Sequence, residues 1–168
     1  MTYQFNSCDS EMTNRTQSHA HTYPLTWMDL QKYDKNPPRI SLTRTVEMET
    51  KYEEHKRKLS QNEQQIDDYI KNKYFSDENE NKKFICVPNA FPYNCESHIK
   101  HYLIWVNPKF NKYFPESLNY SKYDPMVTKE VHDKFGTDVN EFIFFENIME
   151  LKSVKTIRHI HIFIKHKL

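Results

Sequence analysis

The stretch "IRHIHIFIKH", residues 157–166, decides the fold, because apolar residues alternate with other side chains as a half-buried β-strand requires. Successive side chains of a strand point to opposite faces of the sheet. His159, His161 and Phe163 therefore share one face. The other face carries three isoleucines, Ile160, Ile162 and Ile164. We expect the isoleucines to pack into the core and the opposite face to present two imidazoles and a ring.

Three earlier segments in the second half of the chain also read as strands. They are rich in β-branched and aromatic residues and are bounded by proline or asparagine. The segments are "KFICVPNAFPY" (83–93), "HYLIWVNP" (101–108) and "EFIFFEN" (141–147). We expect Trp105, in the middle of its strand, to be buried.

A helix is predicted between the second and third strands, over "DPMVTKEVHDKFG". Asp124 has the residue type of an N-cap, Pro125 suits the first helical position and Gly136 suits the C-terminal end. The sequence leaves the strand order open.

The first half of the chain is polar and then helical. Residues 1–22 lack periodicity and predict a flexible tail. A short helix follows Thr26, and a long helical pattern from 41 to 75 is divided by "SQNE" at 60–63, a capping box. We expect the two long helices to cover the sheet, and the charged run 76–83 to be a solvated connection.

These patterns predict a single α+β domain over residues 23–168. It has a helical part (23–75) and a sheet part (83–168), and its sheet is mostly antiparallel with one crossover helix.

Composition excludes several classes of function. Twenty-four Lys and Arg against 23 Asp and Glu leave a formal charge of +1, so no global field recruits a polyanion. A single glycine rules out a glycine-rich phosphate loop. Three cysteines without paired spacing, and the absence of a long apolar run, predict a soluble cytoplasmic protein that does not bind a membrane.

The histidine strand resembles the histidine-triad (HIT) motif, in which histidines alternate with apolar residues. The resemblance extends upstream through "FICVPNAFPYNCESHIKHYLIWVNPKF", the strand ending in "FFEN", and the linking "SV" at 153–154. It implies a HIT-like sheet over about residues 80–168 and a phosphorylated ligand of the nucleotide or nucleotide-sugar class.

Residue roles follow from that resemblance. It makes His161 the nucleophile and His159 its partner, so that attack on an α-phosphate would give a nucleotidyl-histidine. The implied ligand-binding residues are His101, Asn89, Asn147, Ser153 and Phe163. Phe163 stands where the third histidine would be and cannot donate a hydrogen bond to phosphate, which favours binding over catalysis.

A second resemblance covers nearly the whole chain. "PLTWMDL", "LTRTVEMETKY", "VPNAFPYNCESHIKHYLIW" and "FFENIMELKSVKTIRHIHIF" are similar to the N-acetylglucosamine-induced protein family of fungi and viruses, a domain of unknown function.

Several alternatives stay open at this point. The chain is either an enzyme or a non-catalytic recognition module for an RNA 5′ end, a cap or a protein partner. The histidines are either a pocket, buried structural groups or an exposed strand face. Zinc on His101, His159, His161 and Cys95 is disfavoured because no ligand spacing supports it, and we expect no metal or cofactor. An exposed C-terminal strand would permit a homodimer through the sheet.

Overall fold

A computed structural model describes most of the chain, in five stretches: residues 23–59, 63–113, 120–137, 139 and 141–166. The predicted tail at 1–22 and the predicted cap at Ser60 lie outside these stretches. No helix in the described part is long and apolar enough to cross a membrane.

The described chain contains four α-helices and four β-strands. The helices are α1 (Trp27–Gln31), α2 (Val46–Leu59), α3 (Glu63–Tyr74) and α4 (Tyr120–Phe135). The strands are β1 (Phe84–Pro88), β2 (Ile99–Val106), β3 (Phe142–Phe145) and β4 (His159–Lys165). Three strands lie within the predicted segments, and β2 begins two residues before its segment, at Ile99, which together confirm the α+β class.

The strands form one sheet in the order β1-β2-β4-β3, and every neighbouring pair is antiparallel. Helix α4 is the crossover that links β2 to β3. The C-terminal strand β4 lies between β2 and β3, so the expectation that it is exposed and free to pair across a dimer is wrong. A strand that is apolar on one face and aromatic and imidazole-bearing on the other is buried most fully in the middle of a sheet.

One face of the sheet packs against α4. The isoleucine face of β4 joins a cluster of buried residues that includes Val127 and Val131 of α4 and Phe144 of β3. Ile162 and Ile164 are both 0% exposed. The predicted core face is therefore confirmed.

The other face is covered by the N-terminal segments, and its apolar residues form two clusters. The first contains Leu25, Leu30, Leu42, Tyr93, Ile99, Ile143, Phe145 and Phe163. The second contains Ile70, Phe75, Leu103, Trp105 and Ile157. Helix α3 covers the sheet through Ile70, whereas α2 buries no residue completely and contributes Tyr52 and His55, whose rings contact Phe91.

Two predicted helix boundaries had different outcomes. Thr26 caps α1 in a capping box with Asp29, as its sequence position predicts. Helix α4 instead begins at Tyr120, so Pro125 lies inside it and Asp124 is not its N-cap. The Asp124 carboxylate pairs with Lys35 Nζ at 2.8 Å.

The earlier start of α4 follows from tertiary packing. Tyr120 and Met126 pack against the core cluster under α4, and the Tyr120 ring lies 5.9 Å from that of Phe144. Packing of the Tyr120 ring outweighs the local start signal at Asp124 and Pro125. At the other end Gly136 has φ 97° and donates its N–H to His132 O at 2.9 Å, which confirms it as the C-terminal stop.

Candidate functional site

Three histidines lie in a row on the covered face of the sheet, which we call the histidine face: His101 of β2 with His159 and His161 of β4. Cross-strand register brings them together, because Trp105 pairs with His159 and Leu103 with His161. The three side chains are only 7%, 4% and 4% exposed, in that order. The alternative of a solvent-exposed strand face is therefore wrong.

His101 and His161 are joined directly, with His101 Nε2 2.9 Å from His161 Nδ1. The direction of this hydrogen bond is fixed by the backbone N–H of Tyr93, which donates to His101 Nδ1 at 3.2 Å. A backbone N–H cannot act as an acceptor, so the neutral His101 ring carries its proton on Nε2. His101 therefore donates to His161.

The same logic extends to Asn147. His161 accepts on Nδ1 and so carries its own proton on Nε2, which lies 3.1 Å from the amide of Asn147. That tautomer requires the amide oxygen, rather than the nitrogen, to face His161. The amide also lies 3.2 Å from Tyr93 Oη, so the chain of hydrogen bonds begins and ends on Tyr93. Both ring nitrogens of His161 are thus engaged within the protein.

Asn89 and Phe163 border the His101 ring. Asn89 Oδ1 accepts from the Phe91 N–H at 3.0 Å, which turns its amide nitrogen towards His101, 3.3 Å from both ring nitrogens. Phe163 is 0% exposed and stacks on His101 with 4.3 Å between ring centroids. Phe163 therefore packs in the core at the position where the HIT motif has its third histidine.

Burial keeps all three imidazoles neutral near pH 7, because removing a ring from water disfavours its charged form. It lowers the pKa of His159 to about 4. It lowers the pKa of His101 and of His161 well below the usual value, and the nearby Arg44 guanidinium lowers both further.

His159 lies at the end of the row away from Phe163. Its Nδ1 is 3.2 Å from the Ile157 carbonyl, so Nδ1 carries the proton and Nε2 is an acceptor. Its ring lies against that of Trp105, with centroids 4.7 Å apart. Trp105 is only 6% exposed, as expected, yet its indole Nε1 has no acceptor among the described residues.

A buried group of charges adjoins this end of the row. Glu146 pairs with Lys152 and, at 2.8 Å, with Arg158 Nη2. The Lys152, Glu146 and Arg158 side chains are 8%, 7% and 14% exposed. Burial raises the pKa of the Glu146 carboxyl, but the two cations outweigh burial and hold it below its usual value.

Arg44 closes the opposite side of the site. Its guanidinium lies 3.9 Å from the Tyr52 ring centroid and 5.1 Å from that of Tyr93. It also pairs with Glu49 at 3.2 Å. The charges of Arg44 and Lys152 both lower the pKa of His161.

The structure brings together six of the seven predicted site residues: His101, His159, His161, Asn89, Asn147 and Phe163. Ser153 is exposed in the segment before β4, and no hydrogen bond in the described part of the chain joins it to the histidines.

Sequence reasoning missed Arg44, Tyr93, Glu146, Lys152 and Arg158 as site residues. The sequence did indicate Glu146, because a carboxylate that directly follows the apolar run "FIFF" needs a cationic partner when that strand is buried. Arg44 had none.

Other chemistries find little support at the site. Burial raises the pKa of the Cys95 thiol to about 12, so it is not a thiolate nucleophile at neutral pH. Among the described residues, no group of three or more His, Cys, Asp or Glu side chains is placed to hold a metal ion.

Comparison with known proteins adds three findings. A family model described as "Protein of unknown function (DUF3605)" matches residues 26–165. N-acetylglucosamine-induced protein 1 of Candida albicans (strain SC5314) is 25% identical over 178 aligned residues, covering 84% of this chain and 68% of that protein. The crystal structure of HTC1 has a TM-score of 0.58 and 20% identity over 84% of this chain and 85% of that one, which shows a shared fold.

These findings confirm the resemblance to the N-acetylglucosamine-induced family, whereas the HIT-like reading stays a prediction. The family match spans α1 to β4 and includes every residue of the histidine face. The chain therefore belongs to the family of proteins of unknown function designated DUF3605.

Proposed function

We propose that the protein binds a phosphate-bearing small molecule of the nucleotide class beside His159, without forming a covalent intermediate on His161. The proposed site, which we call the basic end, consists of Trp105, Glu146, Lys152, Arg158 and His159. It is a recognition function rather than a catalytic one.

The indole N–H of Trp105 is the observation that carries the proposal. A buried donor without an acceptor costs about 1–3 kcal/mol, so native proteins rarely leave one unless a ligand or water uses it. This donor belongs to a ring in contact with His159. A phosphate oxygen would supply the acceptor.

Charge favours an anion at the same place. The Lys152 ammonium group is 8% exposed and lowers the pKa of His159, so its charge acts in a low-dielectric environment, where its attraction for an anion exceeds that of a surface lysine.

A base or sugar would have an aromatic surface nearby. Tyr74 of α3 is half-buried and stacks on Trp105, with ring centroids 5.8 Å apart. Stacking on an aromatic ring tolerates any base, which fits a nucleotide without fixing its identity.

Binding is favoured over catalysis because of His161. A histidine nucleophile needs one ring nitrogen free to attack phosphorus. Here Nδ1 accepts from His101 and Nε2 faces Asn147, so neither ring nitrogen is free.

Tryptophan fluorescence tests the proposal directly. The chain has two tryptophans, so Trp27→Phe leaves Trp105 as the only reporter. This variant is titrated with mononucleotides, dinucleoside polyphosphates, capped dinucleotides and UDP-sugars. We expect a saturable change with at least one class. Binding should weaken at least about tenfold on Lys152→Met, as for loss of a charge-assisted hydrogen bond.

A matched control and a mass measurement complete the test. Lys155→Ala removes an exposed lysine from the same segment and should leave the affinity unchanged. The absence of a fluorescence change with every ligand class would contradict the proposal. Intact-protein mass spectrometry that finds a nucleotidyl adduct lost in His161→Ala would replace it with the catalytic alternative.

A further inference from the structure

The indole N–H of Trp105 lies in a closed part of the structure. The nitrogen is a buried atom, and the residue as a whole is 6% exposed. A small molecule cannot accept a hydrogen bond from this N–H while the structure stays closed. Some part of the cover over Trp105 therefore has to move before a ligand can reach it.

Residues 153–157, which we call the strap, are the part of that cover most easily moved. They lie between the short helical turn Met149–Leu151 and β4, and Val154 and Ile157 pack in the same apolar cluster as Trp105. Within the described part of the chain, the strap makes no backbone–backbone hydrogen bond. Helix α3, which also covers this cluster, keeps its helical hydrogen bonds. A segment without such bonds opens at a lower free-energy cost than a helix does.

Both ends of the strap are fixed by the buried Glu146 carboxylate. Lys152, just before the strap, pairs with this carboxylate. Arg158, just after it, pairs with the same group at 2.8 Å, and the Arg158 carbonyl accepts from the Val106 N–H at 3.0 Å. The strap can therefore move outward while both cations of the basic end keep their positions.

One side-chain hydrogen bond joins the middle of the strap to α3. Thr156 Oγ1 donates to Asp67 Oδ1, and we call this pair the latch. No other side chain of the strap forms a hydrogen bond or an ion pair with any residue that the structure describes. Thr156 is exposed, so water can replace its partner when the strap opens.

We infer, on the basis of the proposed function, that the strap is a gate over the basic end and that the Thr156–Asp67 latch controls how often it opens. In the closed state the Trp105 indole N–H is not accessible to solvent. Outward movement of the strap exposes it beside Lys152. Ligand enters only those molecules in which the strap is open, so the latch sets the rate of entry.

Exchange of the Trp105 indole hydrogen with solvent tests the gate without any ligand. In a Trp27→Phe background this hydrogen gives the only indole N–H signal in the NMR spectrum. When the strap closes faster than exchange occurs, the exchange rate is proportional to the open fraction. Removal of the latch by Thr156→Val should raise that rate about fivefold, as for the loss of one hydrogen bond.

Three control variants separate the latch from other effects of substitution. Thr156→Ser keeps the hydroxyl donor, and Asp67→Asn keeps an oxygen acceptor, so both should retain the slow exchange. Lys155→Ala removes an exposed side chain from the strap and leaves the latch intact, so it should also retain the slow exchange.

A second hydrogen in the same spectra separates local opening from unfolding. The amide of Ile104, a residue 0% exposed in β2, should exchange only when the whole sheet unfolds. Relative to their intrinsic rates, the Trp105 indole hydrogen should exchange at least about a hundredfold faster than this amide, because opening of the strap costs less than unfolding.

Two results overturn the inference. One is equal protection of the two hydrogens, and the other is exchange in Thr156→Val that is no faster than in Thr156→Ser. Nucleotide binding together with either result would leave the proposed function standing without the gate. Faster indole exchange in Thr156→Val, in a protein that binds no member of the ligand panel, would support the gate and contradict the proposed function.

Discussion

Three histidines buried in neutral form make the stability of this protein fall as the pH falls. In the unfolded chain an imidazole titrates near pH 6.5. In the folded protein burial lowers the pKa of His159 to about 4 and lowers those of His101 and His161 well below the usual value. Below pH 6.5 the unfolded state therefore binds protons that the folded state does not, and unfolding is favoured.

The magnitude follows from linkage. Between pH 7.5 and 5.5, a histidine with a pKa of about 4 in the folded state and 6.5 in the unfolded state costs about 1 kcal/mol of unfolding free energy. His101 and His161 act with the same sign in the same window. The loss from His159 alone is a sizeable part of the 5–15 kcal/mol typical of a domain, and His101 and His161 add to it.

Urea denaturation at pH 7.5 and pH 5.5 measures this loss. The pH range lies above the titration of ordinary carboxyl groups, so they contribute little. His159→Leu should reduce the difference between the two pH values by about a third. His166→Gln, at an exposed position, should leave it unchanged.

Two results would refute the reasoning. Equal unfolding free energies at the two pH values would mean that the buried rings accept protons in the folded state. An effect of His166→Gln as large as that of His159→Leu would mean that burial is not the cause.

Three further substitutions test particular contacts. Glu146→Gln should lower the unfolding free energy by about 3–5 kcal/mol at pH 7.5, because Lys152 and Arg158 lose the carboxylate that compensates them. Ile162→Ala, at a position 0% exposed, should cost about 2–5 kcal/mol in the same urea assay by leaving a cavity under α4. Gly136→Ala should cost about 1–2 kcal/mol by thermal melting, since φ 97° suits glycine alone.

The first two substitutions have a matched control in the same assay. Glu150→Gln removes an exposed carboxylate near Glu146 and should change the unfolding free energy by less than about 0.5 kcal/mol. Val46→Ala shortens a side chain that is 87% exposed and should be equally neutral. A control that destabilises as much as its partner would contradict the role assigned to that contact.

Local patterns were enough to predict most of the secondary structure. The four strands, the cap at Thr26 and the stop at Gly136 each depend on a few adjacent residues, so the sequence alone was enough to predict them. The start of α4 could not be predicted in this way, because packing of Tyr120 against Phe144 extends the helix past the local signal at Asp124 and Pro125.

The candidate site, too, could be predicted from the sequence only in part. Alternation along residues 159–163 was sufficient to place His159, His161 and Phe163 on one face and the isoleucines on the other. The sequence could not show that this face is covered, since that depends on α3 and the N-terminal segments. Burial makes His159 and His161, which the sequence suggested as reactive groups, neutral and hydrogen-bonded.

The sequence by itself determined the elements, the two faces of β4 and membership of the family, because these depend on spacing along the chain. Only the tertiary structure decided that β4 is an inner strand, that Arg44 and Glu146 adjoin the histidines, and that Trp105 retains a buried donor. Those features join residues far apart in the chain, and their energies come from burial and from pairing across the sheet, which local spacing does not encode.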